Sequence, residues 1–272
     1  MELMNQFPQA LTIAGIDSDG GGGMPIDLKT MMAMHVYGLS VITTTVAANS
    51  YGIIDSHALP IAFIENEFKA LTADYQIRAC KTGLLDSKAL INTVVANYQR
   101  HDMGYLVVDP VILAKTGEVL LTPDEIDTLK ERLIPLATVI TPNYYEAEKL
   151  TGMQINDQHQ MVVAAQKLRQ LGCLNVMIKG RHDQNGEKQD EVSDLLLLES
   201  GEQVWLTGPY FQTNRKNGTG DALSAAITAE LAKGRSVEQA VRTAKTYVDQ
   251  TIKNEIIVGH KYGPINNWAG QE

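Results

Sequence analysis

Long apolar runs are missing from this chain: nowhere do about 18 apolar residues follow one another without interruption, the length a helix needs to cross a membrane. Its first ten residues, MELMNQFPQA, also lack the basic and then apolar regions of a secretory leader. Membrane spanning and export by that route are therefore not expected, and the cytoplasm is. Basic stretches are absent too. With 23 Lys and Arg against 32 Asp and Glu, the net charge is −9, which argues against nucleic acid and acidic membranes as partners. Only two cysteines occur, Cys80 and Cys173, with no CxxC pair and no histidine at metal spacing; they read as buried thiols of a reducing compartment. His35, His57, His101, His159, His182 and His260 are scattered without an HExxH pattern, so all six read as structural or surface residues. Neither a Walker A motif nor a dinucleotide GxGxxG is present. Without a Pro/Ser-rich linker, repeat or low-complexity tract, residues 1–272 are expected to form one domain.

What is present is alternation. Short β-rich runs at residues 10–14, 39–46, 76–81, 105–108, 137–140, 175–179, 194–198 and 203–206 are separated by helical patterns near 24–35, 61–74, 87–99, 123–133, 144–151 and 158–171. Two closing helices are read at 221–233 and 236–253. This order predicts a three-layer α/β/α fold with a mostly parallel central sheet. The last two strands, joined by a turn at 199–202, form an antiparallel edge hairpin. Residues 180–191, with six charged residues and two glycines, are expected to be the most mobile segment.

The unusual residues fall where such sheets bind ligands, beyond the carboxyl ends of the strands. Residues 217–226, NGTGDALSAA, place Gly218 and Gly220 before an apolar helix, so that main-chain amides and the positive helix end can meet an anion. Asp221 stands at that junction, placed either to remove a proton or simply to cap the helix. After the first strand, GIDSDGGGG permits close backbone approach, and Asp17 and Asp27 could bond a polar ring edge; the plainer reading is a flexible loop with Asp27 as a first-turn acid. TPNYYEAEKL puts Asn143 and Glu146 three apart, a spacing that fits oxygens beside Mg²⁺ and phosphate, and fits a capping box equally. Lys179 ends a strand where a cation can meet phosphate, although a lone lysine there is commonly just solvated. Tyr144, Tyr145, Met31, Met32 and Met34 have helical spacing and read as packing residues.

Taken in order, LTIAGIDSDGGGGMPIDLKT, YGLSVITTTVAANSYGI, KTGLL, VVDPVILAKTGEVLL, ATVITPNYYEAEKLTG, VMIKG and NGTGDALSAAITAELAKG resemble the hydroxymethylpyrimidine and phosphomethylpyrimidine kinases of thiamin synthesis, members of the ribokinase-like superfamily that includes pyridoxal kinases. The resemblance covers residues 11–253. It implies a homodimeric kinase that uses MgATP to phosphorylate a hydroxymethyl group on a small heteroaromatic ring. By position, Gly15, Asp17, Asp27, Ala48 and Leu84 would line the ring pocket. Asp109, Asn143 and Glu146 would organise Mg²⁺ and phosphates, and Lys179, Thr213, Gly218, Thr219 and Gly220 would meet the nucleotide.

Two departures bear on substrate. Ala48 stands where family members acting on the pyrimidine carry a ring-reading Gln, and Asp221 stands where the thiamin-pathway enzymes usually have Cys. NRKNG also replaces the family's NTHG, and Arg181 takes the place of a second Gly. The expected reaction is in-line attack of the hydroxymethyl oxygen on the γ-phosphorus, with Asp221 accepting the proton. A carboxylate is too weak a base to ionise an alcohol beforehand, so proton transfer lags behind P–O cleavage. Vitamin B6 vitamers are the alternative acceptors. A non-catalytic nucleotide or ligand sensor is the competing class, and intact Asp221, Asn143 and Glu146 argue against it.

Overall fold

The computed structural model describes residues 6–113, 119–180 and 190–270. The element order is β1 (Gln9–Asp17), α1 (Gly23–Ala33), β2 (Tyr37–Asn49), β3 (Gly52–Ala58), α2 (Ile61–Thr72), β4 (Ala79–Thr82), α3 (Lys88–Arg100), β5 (Tyr105–Val108) and α4 (Pro123–Thr128). It continues through β6 (Val139–Ile140), α5 (Tyr144–Thr151), α6 (Gln158–Gln170), β7 (Asn175–Ile178), β8 (Glu191–Leu197), β9 (Gln203–Pro209), α7 (Thr219–Ala232) and α8 (Val237–Lys253). All nine strands form one sheet in the order β3-β2-β1-β4-β5-β6-β7-β8-β9. Strands β2, β1, β4, β5, β6 and β7 run parallel. Both edges are antiparallel: β3 pairs with β2, and β8 pairs with β7 and β9.

Alternation along the strands assigns the two faces. Leu11, Ile13, Cys80, Leu106, Val108 and Ile140 pack with helices α2 to α6. Ala10, Ala79, Val107, Val139 and Met177 meet α1, α7 and α8. Small residues on that second face suit α7, whose residues from Ala222 to Ala232 are all buried. An Ala-rich helix has few long side chains to hold it off the sheet, so it lies over β1, β4 and β5. Helix α8 is amphipathic instead; Ser236 and Gln239 close a capping box, and Ala240, Val241, Ala244, Tyr247, Val248 and Thr251 form its buried stripe.

From β1 the chain winds to β2 on one side, whereas β4 lies on the other. The crevice at their carboxyl ends is thus a topological switch point, where open α/β sheets bind ligands. Three differences from the sequence reading are local. Strand β3 was not expected. The helix read at 123–133 is α-helical only to Thr128, then passes through a π turn at Leu129–Leu133 into a 3-10 turn containing Pro135. Helix α1 stops at Ala33, and His35 is left-handed at φ 56°. The segment expected to be most mobile, like Arg181, lies almost wholly outside the described residues. Both cysteines are free and buried, and burial pushes the Cys173 thiol up to about 12.

Candidate active site

Two glycine segments meet above the switch point. Helix α7 starts at Thr219, with Gly218 as its N-cap at φ 86° and no side-chain cap, so Asp221 lies in the first turn rather than capping the helix. A methyl on Gly218 would lie 2.7 Å from Ile26 Cγ1 and 2.9 Å from the Gly21 carbonyl; only glycine satisfies both the left-handed backbone and this approach. Likewise a methyl on Gly23 would come 2.6 Å from the Gly15 carbonyl, because the glycine loop folds back onto the end of β1. Asn217 fastens the junction: its side chain lies over Gly21 and Gly22, and its main chain exchanges hydrogen bonds with Gly263 and Ile265.

Beneath this junction lies a lysine to which the sequence reading gave no role. Lys81, on β4, is fully buried; its Nζ is 2.6 Å from Asp27 Oδ1 and 4.0 Å from Asp221 Oδ1. Thr12 Oγ1 donates to Asp27 Oδ2 at 2.6 Å. Asp27 is therefore neither a flexible-loop acid nor exposed to a ring: with no accessible surface, it anchors Lys81. Burial raises the Asp27 carboxyl and Lys81 opposes that rise. Burial also opposes the Lys81 charge, but Asp27, Asp221 and Asp109 outweigh it and hold the ammonium above its ordinary value. A lysine amid apolar β residues was the available sequence signal.

Further along the same face, Asp109 follows β5 and Lys179 follows β7. Lys179 Nζ lies 3.5 Å from Asp109 Oδ1 and is largely buried, so it is not the solvated lysine of the plainer reading. Ser224, one turn into α7, donates to Asp109 Oδ2 at 3.3 Å and ties the start of α7 to the end of β5; sequence reasoning missed it. A methyl on Gly220 would stand 3.6 Å from Lys179 Nζ and 3.7 Å from Asp109 Oδ2, which places the turn beside both charges.

Asn143 and Glu146 form the capping box in full: Asn143 N donates to Glu146 Oε2 at 2.7 Å and Glu146 N to Asn143 Oδ1 at 2.9 Å. The Ile112 amide bonds Glu146 Oε1 at 3.3 Å. Burial and Asp109 push the Glu146 carboxyl up, against the pull of Lys179. Among the described residues no group of three or more His, Cys, Asp or Glu can hold a bare metal ion. Yet around Lys81 and Lys179 stand Asp27, Asp109, Glu146 and Asp221, so acids outnumber cations where a polyphosphate would sit. That donor set fits Mg²⁺ only when phosphate oxygens and water complete its shell, the usual habit of this ion.

Gly15 and Asp17, expected at the ring, lie at the end of β1. Burial, Asp221 and Asp19 raise the Asp17 carboxyl to about 6. Ala48 is half-buried on β2, and the Ser18 hydroxyl bridges its amide and carbonyl, each at 3.0 Å. Leu84 is half-buried against the core. Thr213 lies between β9 and α7 with its hydroxyl accepting from Arg215 N at 3.0 Å, and Thr219 Oγ1 donates to the Lys216 carbonyl at 3.2 Å. Met31 and Met34 are core residues, whereas Met32 is exposed.

A doubly wound sheet with a helix N-terminus, glycine loop and lysine–carboxylate pairs at its switch point defines a ribokinase-like kinase. The ADP complex of pyridoxal kinase from Bacillus subtilis superposes with a TM-score of 0.87 at 33% identity, covering 97% of this chain and 98% of that one. A phosphomethylpyrimidine kinase from Clostridium difficile 630 gives 0.78 at 37% identity, covering 90% and 99%. The family model for phosphomethylpyrimidine kinase matches residues 17–266, and the chain belongs to that family. The hydroxymethylpyrimidine/phosphomethylpyrimidine kinase of Haemophilus influenzae is 41% identical over 266 residues, 98% of either chain. The chain is a phosphotransferase with an alcohol group as acceptor. No helix of the described residues is long and apolar enough to cross a membrane.

Proposed function

We propose that this kinase transfers the γ-phosphoryl group of ATP to the hydroxymethyl oxygen of 4-amino-5-hydroxymethyl-2-methylpyrimidine or its monophosphate, in thiamin synthesis. The observation that carries the reading is the meeting of Asp221, partly exposed at 23%, with the α7 anion turn above buried Lys81. Asp221 takes the acceptor's proton as the P–O bond to the leaving group lengthens, a step commonly worth about 10²- to 10⁴-fold. Amides of residues 218–221 receive the charge on the transferring group, each well-placed donor contributing on the order of 3 kcal/mol. Lys179 draws phosphate against Asp109. Mg²⁺, held through Asp109 and the Asn143–Glu146 box, would neutralise phosphate oxygens. Asp17, Gly15, Ala48 and Leu84 border the ring, and Thr213 and Thr219 border the nucleotide. With a carboxyl at about 6, Asp17 exchanges a proton near neutrality and suits a ring nitrogen or amine.

A second reading, phosphorylation of pyridoxal, pyridoxine or pyridoxamine, is favoured by Ala48, whose methyl makes no hydrogen bond to a ring. A pyridoxal kinase from Staphylococcus aureus in complex with AMP-PCP and pyridoxal is 33% identical, with a TM-score of 0.86 over 97% of this chain and 94% of that one. We further propose a single cytoplasmic kinase domain acting as a homodimer; exposed Phe7, Met32 and Tyr37 beside Tyr75 are the apolar groove that supports pairing. The test is ADP release with the pyrimidine, its monophosphate and the three B6 vitamers in parallel, for wild type and Asp221→Asn. Turnover should fall by about 10²- to 10⁴-fold in the variant with ATP binding and folding retained. Near-normal turnover would remove Asp221 as the base, and no ADP release with any acceptor would favour the sensor.

A further inference from the structure

Behind the lysine just assigned to phosphate lies a second buried charge cluster that the reaction does not use. Asp194, on β8, is only 4% exposed. Its Oδ2 is 3.3 Å from Lys245 Nζ, and that ammonium is also 3.1 Å from Asp249 Oδ1, both partners being on α8. The other oxygen, Asp194 Oδ1, accepts the main-chain N–H of Gly180 at 2.7 Å. Gly180 is the residue after Lys179.

The sheet explains why a side chain does this work. The β7–β8 ladder ends at Ile178 opposite Leu195. A methyl on Gly180 would lie 2.4 Å from the Ser193 carbonyl, so the two chains are in contact here beyond the last ladder pair. The Asp194 carboxylate accepts the Gly180 N–H in place of a ladder carbonyl. On its other side, Lys179 N donates to the Pro142 carbonyl at 3.0 Å. The backbone that carries Lys179 is thereby held from both directions, with the second hold braced by α8. Replacing a buried ion pair by apolar residues is often neutral or stabilising, so stability alone is a weak reason for three charges here.

We propose that Asp194 is a positioning residue for the phosphate-binding Lys179: its bond to Gly180 N, braced by Lys245, fixes where β7 ends and so where the Lys179 ammonium points. This rests on the reading of Lys179 given above. The experiment is a double-mutant cycle with Lys179→Ala and Asp194→Ala, recording kcat and KM for ATP and the urea midpoint of each variant. Asp194→Ala should lower kcat/KM for ATP roughly tenfold in the native background and less than about twofold where Lys179 is already gone, since residues in one hydrogen-bond network couple. Asp194→Asn keeps an acceptor for Gly180 N and should recover activity to within about threefold of wild type by the same coupling argument. If Asp194→Ala does not fold, Asp194→Ser, whose hydroxyl is too short to reach Gly180, takes its place in the cycle. Equal losses in both backgrounds, or no recovery with Asn, would overturn the positioning role while leaving Lys179 at the phosphate. An unchanged kcat/KM in Lys179→Ala would instead remove the phosphate reading, and this proposal with it.

Discussion

Removing the Lys81 ammonium should uncover how strongly the site depends on one buried ion pair. Lys81→Met leaves the Asp27 carboxylate with no accessible surface and only the Thr12 hydroxyl as a partner. Breaking a buried pair on one side costs about 3–5 kcal/mol, because the remaining charge is neither solvated nor compensated. At about 2.1 cal/mol/K per residue, the unfolding entropy of a 272-residue chain is about 0.6 kcal/mol/K, so Tm should fall by about 5–9 °C. The loss should depend on pH, and its sign follows from the direction of the shift. Burial raises the Asp27 carboxyl to about 7 even with Lys81 present. The folded protein thus holds that proton more tightly than the unfolded chain, and the associated stability is lost as pH climbs from about 4 through 7. Without Lys81 the pull that opposes this rise is gone, so the deficit should be larger at pH 8 than at pH 5.5. Thermal and urea unfolding at both pH values measure it. The double variant Lys81→Met with Asp27→Asn removes both charges and should recover to within about 1–2 kcal/mol of wild type, since removing both charges costs far less than leaving one of them buried alone. A single variant within about 1 kcal/mol of wild type, or a double variant no better than the single, would refute the reasoning.

Two substitutions probe the binding halves. Gly218→Ala puts a side chain at φ 86° and within 2.7 Å of Ile26 Cγ1; the left-handed backbone alone costs roughly 1–2 kcal/mol, so KM for ATP should rise about tenfold, and an unchanged KM would remove the turn from the nucleotide site. Ala48→Gln should raise the preference for the pyrimidine over pyridoxal in kcat/KM by about fivefold, the worth of one added hydrogen bond; an unaltered ratio in steady-state assays would show that this edge does not read the ring.

Much of the architecture was legible because it is written locally. The boundaries of β5 and α5 match the sequence reading residue for residue, since YLVV is a short run of strand-favouring apolar residues and Asn143 with Glu146 spells a capping box. Strand β3 was not legible: GIIDSHA is mostly exposed, carries Asp, Ser and His, and exists by pairing with β2 at the sheet edge. The π turn after α4 was likewise hidden, because LKERL has good helical propensity and leads into Pro135. In the site, the glycine turns, Asp221 and Lys179 announced themselves by composition. Lys81, Ser224 and Asp194 did not, for each takes its meaning from a partner on another element: Lys81 from Asp27 at 54 residues' separation, Ser224 from Asp109 at 115, and Asp194 from Gly180 across the end of β7.

By itself, then, the sequence determined the layered α/β class and the glycine turn that opens α7, and through its resemblance the kind of chemistry, because periodicity, glycine and helix-start signals act over a few residues. Tertiary structure decided which charges face which. It turned Asp27 from a candidate ring ligand into the anchor of a buried lysine, and the Asn143–Glu146 pair into a closed capping box near the Asp109–Lys179 pair. Such assignments depend on burial and on distances between strands far apart in the chain. A carboxylate's role is set by the cation, amide or water that remains beside it once the sheet and helices have closed.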